Sequence, residues 1–399
     1  MKAVPIALKN WAFRRLLAAQ IPADFADWLD FVAIGAILAF TWGVAPTVYA
    51  LLAVAMALPY LIIGPFAGAM VDRLPIRPVL VGSDLGRGVT TALLFFAPNW
   101  QVLIALVALR SVLDCFFTPA KQAALQSLTT ETDRTSANGL SQAVSEASKV
   151  MAPIIGGSLL ALISPGSLFL INAVLSFAAA LLGLRLGTVP KPARDPGPGL
   201  FAEVAVGLTD VWTVPLLRTT IAMFGAGFFA IFLYDTYFAP LLLQMQLTQF
   251  HLGMALGAVG CGGLVGSLLF GFAKSLRRPF RLAAAGFLFG GCAAILLGWS
   301  GLQSGSVALP TLLAIFATLG FCSAMTFIPL NLILQNNVPP DRIGRVTSLN
   351  EAVITLSIST APFVGAVLVS AGSFATPFIV GGAVTLALAV TAFANRDAA

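Results

Sequence analysis

Apolar stretches of about 20 residues, each long enough to cross a bilayer as a helix, recur along the whole chain. Twelve such spans are predicted, at about 14–42, 46–71, 79–98, 101–128, 138–163, 166–187, 217–245, 250–273, 281–300, 308–334, 345–371 and 374–394. Of the 399 residues 58% are hydrophobic and only 10% charged, with a mean hydropathy of +0.95. A soluble protein of this length needs far more polar surface. The expected fold class is therefore an all-α polytopic membrane protein. Lys2, Lys9, Arg14 and Arg15 precede a long span that contains acids, which is not the pattern of a cleavable signal.

The basic residues are distributed unevenly. The connections between spans 1 and 2, 3 and 4, 5 and 6, 7 and 8, 9 and 10, and 11 and 12 contain neither Lys nor Arg. The other side carries the N-terminal cluster, Arg73 and Arg77, Arg134, Lys191 and Arg194, the run from Lys274 to Arg281, Arg342 and Arg345, and Arg396. This bias predicts cytoplasmic termini and an even number of spans. It also accounts for the net charge of +6, so no nucleic-acid partner is expected.

The longest polar interval begins at Thr188. VPKPARDPGPG reads as a linker, and FAEVAVGLTDVW behind it places Phe201, Val204, Leu208 and Trp212 on one face, as in a helix lying on a membrane. The predicted organisation is a six-helix bundle over 1–187, a cytoplasmic linker over 188–216 and a second six-helix bundle over 217–399. The halves repeat. Phe117-Thr118-Pro119 matches Phe327-Ile328-Pro329 at an offset of 210, and Leu125-Gln126 matches Leu334-Gln335 at 209. Ala143-Val144 matches Ala352-Val353, and Ala152-Pro153-x-x-Gly156 matches Ala361-Pro362-x-x-Gly365, both at 209. Two pseudo-symmetric bundles facing a central cavity follow from this, with transport by rocking of one against the other.

Between spans 2 and 3 the chain reads GPFAGAMVDRLPIR, a charged turn held at a membrane surface. Its pattern G-x-x-x-D-R-x-x-x-R, carried by Gly68, Asp72, Arg73 and Arg77, resembles the cytoplasmic signature of the major facilitator superfamily. Pro75 and Ile76 stand where that family usually has Gly and a second basic residue. The turn PPDRIGR before span 11 resembles the loop facing this signature across the two halves. The resemblance implies that Asp72 near the start of span 11 locks the inward-closed state.

Ionisable groups inside a bilayer are functional candidates by default. Asp24, Asp27 and Asp30 recur every third residue in span 1 and form one stripe. Mutual repulsion among three acids makes one of them able to bind and release a proton, with Asp27 or Asp30 the expected carrier; the same stripe also fits a hydrated wall that holds cationic cargo, or acids bridged to arginines elsewhere. Asp84 and Arg87 in span 3, and Arg110 and Asp114 in span 4, have spacings that permit pairing within a helix. Arg110 resembles the span-4 arginine of many proton-linked members, although Leu113 and Asp114 replace the usual Gln and Gly. Glu146 and Lys149 sit one turn apart in span 5, where they can pair, and Glu146 is a secondary candidate. Asp235 reads as an interface residue, and some of the 30 phenylalanines should line an apolar cavity.

Ala152, Pro153, Gly156 and Gly157 resemble the GPxxGG signature of superfamily exporters, with Ala where Gly is usual. Together with the FxPA segment and the SANGL turn, this resembles the branch containing enterobactin-type siderophore exporters and macrolide efflux proteins. The resemblance implies a monomeric, proton-driven antiporter in the inner membrane that exports an amphiphilic drug or siderophore by alternating access. Its partners would be that small molecule and membrane lipid, and its driving force the proton gradient, with no cofactor. A lysophospholipid transporter of the same fold, or a facilitator without proton coupling, remains the alternative. A membrane enzyme is disfavoured, since a single histidine, His251, lies between spans and no nucleophile and base cluster. No Walker-type GxxxxGK[ST] occurs, and Cys115, Cys261, Cys292 and Cys322 stand singly, so neither nucleotide-driven pumping nor a metal site is predicted.

Overall fold

The computed structural model describes residues 10–71, 73–189, 214–271, 278–303, 307–338 and 343–394. The predicted linker helix, Asp72 and the turn at 339–342 lie outside the described residues. All regular structure among the described residues is helical.

Asn10 opens α1 (Trp11–Ala36), its Oδ1 accepting from the backbone N–H groups of Ala12 and Phe13. A π-helical turn, Ile37–Thr41, extends it, and Gly43 then takes a left-handed φ of +54° that favours glycine. The second predicted span is two helices, α2 (Pro46–Ile62) and α3 (Gly64–Val71), parted at Ile63. Gly64-Pro65 explains the break, because proline supplies no N–H to the preceding turn. Next come α4 (Ile76–Phe95), α5 (Trp100–Leu128) capped by Asn99, α6 (Glu131–Leu159), and α7 (Pro165–Gly183) capped by Ser164. The seventh span is likewise composite. It consists of α8 (Pro215–Phe232), a 3-10 turn at Asp235–Tyr237 that holds Asp235, and α9 (Phe238–Gln244). The chain ends with α10 (Gln249–Gly271), α11 (Pro279–Leu302), α12 (Leu309–Asn337), α13 (Ile343–Ala371) and α14 (Thr376–Ala394).

Among the described residues, eight segments are long and apolar enough to cross a membrane by length and composition alone. Of the other predicted spans, α1, α4 and α6 are set apart by their own charges, including Asp24, Asp27, Asp30, Asp84, Arg87, Glu146 and Lys149. The second span is set apart by its break, which leaves α2 at 17 residues. Large apolar side chains point outward, Val174, Val367 and Val390 each being 66–69% exposed. An outer surface of that kind is stable in lipid and not in water.

The chain separates into two compact units, Met1–Trp42 with Ala55–Pro196, and Gly43–Val54 with Gly197–Ala399. In the first, α1 packs on α6 and α7, while α4 packs on α5 and α7. In the second, α8 lies against α13 and α14, α10 against α12, and α11 against α12 and α14. Both units use the repeated Pro-Gly segment in the same way. A Cβ at Gly156 of α6 would fall 2.8 Å from Leu29 of α1, and a Cβ at Gly365 of α13 would strike the Leu233 carbonyl just after α8.

The helices of the second unit approach more closely than those of the first. A Cβ at Gly262 would collide with the Ala317 carbonyl, and one at Gly320 with the Val259 carbonyl, so α10 and α12 touch backbone to backbone. Gly291 and Gly382 do the same for α11 and α14, at 2.8 and 2.7 Å from each other's carbonyl oxygen. In the first unit the equivalent neighbours are side chains, Leu113 at Gly86 and Phe177 at Gly88.

Candidate functional site

The first unit gathers charged side chains from α1, α4 and α5 into one network. The four-then-three spacing of Gln20, Asp24 and Asp27 keeps them on one side of α1, and Asp30 follows one turn on. Asp24 and Asp30 are buried, whereas the Asp27 side chain is 39% exposed. On α5, Arg110, Asp114, Phe117 and Lys121 follow a four-three-four spacing and share a face.

Arg87 of α4 is the centre. Its side chain is 1% exposed and meets three carboxylates: Asp27 in a very short contact, Asp114 at 2.8 Å through Nε, and Asp84 at 3.4 Å. Arg110 bridges two acids of α1, with Nη2 2.5 Å from Asp27 Oδ1 and Nε 3.1 Å from Asp30 Oδ2. A single oxygen, Asp27 Oδ1, therefore serves both arginines. The two Nε contacts are close without hydrogen-bond alignment and are ion pairs alone. Thr91 donates to Asp30 Oδ2 at 3.4 Å, while Asp30 Oδ1 is buried with no hydrogen-bond partner among the described residues.

A second group adjoins the first. Asp24 accepts from Gln20 Nε2 at 2.7 Å and from the Ser145 hydroxyl, and Lys121 Nζ lies 3.6 Å away. Gln20 and Ser141 exchange further bonds, the Ser141 hydroxyl donating to Gln20 Oε1 at 2.8 Å. Phe117 links the groups, its ring 4.9 Å from the Arg87 guanidinium and 5.6 Å from Lys121 Nζ.

Sequence spacing pairs Asp114 with Arg110 inside α5, but the structure pairs it with Arg87 of α4, because the helix packing brings that guanidinium closer. The predicted Asp84–Arg87 pair does form, as one arm of a larger network and not as an isolated pair. Glu146 and Lys149 are not joined. Glu146 accepts from Gln142 Nε2 at 2.9 Å, and Lys149 Nζ stands 5.4 Å from the Trp28 ring centroid. Spacing alone missed the roles of Arg87, Lys121, Gln20, Ser141 and Ser145, although the α5 face that includes Lys121 was readable. Ala152, Pro153, Gly156 and Gly157 are all buried, and α6 runs through Pro153 without a break. Of the signature before α4, Arg73 is exposed, Gly68 has open space where a Cβ would stand, and Arg77 donates to the Leu184 carbonyl at the end of α7. His251 bonds Thr248 at the start of α10, a local cap on an exposed turn.

Five carboxylates meet three cations in the ion-paired network, so two negative charges are uncompensated when every group is ionised. Such a site can accept protons or a cationic group.

The sequence matches the family model described as the Major Facilitator Superfamily over residues 16–362. The chain is 26% identical over 403 residues to the MFS-type transporter YfiS of Bacillus subtilis (strain 168), across 99% of this chain and 95% of that one. It is also 26% identical to macrolide efflux protein A of Streptococcus pyogenes, across 84% of this chain and 83% of that one. The fold is similar to the crystal structure of a mutant of the nucleoside transporter NupG, with a TM-score of 0.78 at 11% identity, covering 96% of this chain and 99% of that one. The chain is a multi-pass membrane transporter and belongs to the Major Facilitator Superfamily.

Proposed function

We propose that this transporter is a proton-coupled antiporter that exports an amphiphilic small molecule by alternating access, with Asp27 as the coupling carboxylate. The observation that carries this reading is the sharing of Asp27 Oδ1 by Arg87 and Arg110. When Asp27 takes up a proton, Arg87 keeps Asp84 and Asp114, and Arg110 keeps Asp30. Neither buried cation is stranded, so the large penalty for an unpaired intramembrane charge does not arise. Asp27 is also the most exposed of the α1 acids, hence the one that water or cargo reaches first. Asp30 is the second candidate, buried against Arg110 and Thr91.

The similarity to a macrolide efflux protein supports export of an amphiphilic drug-like cargo. The excess of acids suits a cargo that carries a positive charge. In this reading the proton gradient supplies the driving force without a cofactor. On the same reading the protein works as a monomer in the inner membrane, and the Lys/Arg bias supports placing both termini in the cytoplasm. The test is proton release from liposome-reconstituted protein on addition of macrolides, siderophores or lysolipids, in wild type, Asp27→Asn and Asp30→Asn. Release that is lost in Asp27→Asn supports the reading. Cargo movement with no proton signal and intact variants overturns it, and leaves a facilitator or a lipid transporter.

A further inference from the structure

Arg77 stands at the start of α4, beside the end of α7. A cleft of about 530 Å³ lies there between the start of α4 and the end of α7, lined by Arg77, Val81, Gly82, Leu85, Leu184 and Val189 among others. Its size falls in the range of roughly 300–1,000 Å³ typical of ligand clefts. Arg77 crosses its head by donating to the Leu184 carbonyl. Arg15 Nη1 donates to the Arg185 carbonyl at 2.7 Å, and Arg185 adds its own exposed guanidinium at the same turn. Among the described residues no carboxylate pairs with Arg15, Arg77 or Arg185.

Below this basic head the cleft is apolar and open to the side. Leu85 is 45% exposed and Leu184 49%, and a Cβ on Gly82 would meet nothing within 4 Å. The exposed apolar residues continue down both helices, Val89 and Leu93 on α4 and Leu181 and Phe177 on α7. Guanidinium groups with no carboxylate partner among the described residues, above an apolar cleft with exposed flanks, match the two parts of an anionic lipid, its phosphate and its acyl chain.

We propose that this cleft binds one anionic phospholipid, with the phosphate on Arg77 and an acyl chain over Gly82 between Leu85 and Leu184. The lipid is a resident ligand and not the cargo. Binding needs neither cargo nor proton gradient, so its failure is distinct from failure of the transport reading.

The test is native mass spectrometry of the full chain in detergent, titrated with phosphatidylglycerol or phosphatidylcholine of identical acyl chains. Wild type should retain phosphatidylglycerol in preference. Arg77→Gln should weaken that retention about fivefold, the worth of one basic residue at an anionic surface, and Arg77→Lys should keep it. Gly82→Phe enters open space and leaves the arginines in place; it should lower retention of both lipids. Equal retention of the two lipids by wild type overturns the proposal, as does retention that neither Arg77→Gln nor Gly82→Phe changes. Displacement of the lipid by inorganic phosphate alone would also overturn it, leaving an anion site. Should Arg77→Gln fail to fold, Gly82→Phe still decides.

Discussion

Asp114 of α5 pairs with Arg87 on the neighbouring α4, at 2.8 Å, and not with Arg110 one turn away on its own helix. The pair therefore ties two helices together. Removing one partner of a buried pair strands the other, which costs about 3–5 kcal/mol. Arg87→Gln should accordingly lower the stability of detergent-solubilised protein by that order. A double-mutant cycle of Arg87→Gln with Asp114→Asn should show coupling of about 0.5–3 kcal/mol, and the cycle of Arg110→Gln with Asp114→Asn, whose residues meet only through the shared network, should show a smaller coupling. Thermal denaturation of the variants checks both.

Asp27 behaves differently. Since both arginines have other acids, Asp27→Asn should change stability by no more than about 1 kcal/mol. The same substitution should abolish cargo-dependent proton movement. Asp30→Asn leaves Arg110 on Asp27 but puts an amide at a fully buried position, and should cost more stability than Asp27→Asn. Melting curves set beside proton-flux traces separate the two effects.

Glu146 stands apart from the ion network, bonded to Gln142 on the same helix. Glu146→Gln should leave both the melting temperature and the proton signal close to wild type. A loss of coupling in this variant would move the proton carrier from α1 to α6.

Close approach makes a sharper demand in the second unit. Gly320→Ala drives a methyl group into the Val259 carbonyl. The α10–α12 contact should lose about 1–3 kcal/mol or more through overpacking. Gly139→Ala on α6 meets nothing within 4 Å and should gain about 1 kcal/mol from helix propensity. Monodisperse yield on size-exclusion chromatography, together with the melting temperature, reads both variants.

Much of this protein is legible in its sequence, for identifiable reasons. Intramembrane charge is expensive, so the acids of α1 and Arg110 stand out in the sequence as candidate site residues. The 209-residue repeat carries real geometry, since Gly156 and Gly365 each face the first span of their own half. Arg87 was harder to place. Asp84 three residues earlier offers it a local partner, and only the packing of α4 on α5 shows that Asp27 and Asp114 converge on the same guanidinium. Hydropathy cannot show the breaks at Ile63 and after Phe232 either, because an apolar run stays apolar across a kink.

The glycine contacts of the second unit have a mechanical consequence. Helices that meet through carbonyl oxygens have no rotamers with which to take up a displacement, so the α10–α12, α11–α14 and α8–α14 seams are stiff. The first unit meets through Leu113, Phe177 and Leu29, whose side chains can swing. Compliance is thereby greater in the half that also holds the Arg87 and Arg110 ion pairs. A change of charge at Asp27 acts on the softer of the two bodies.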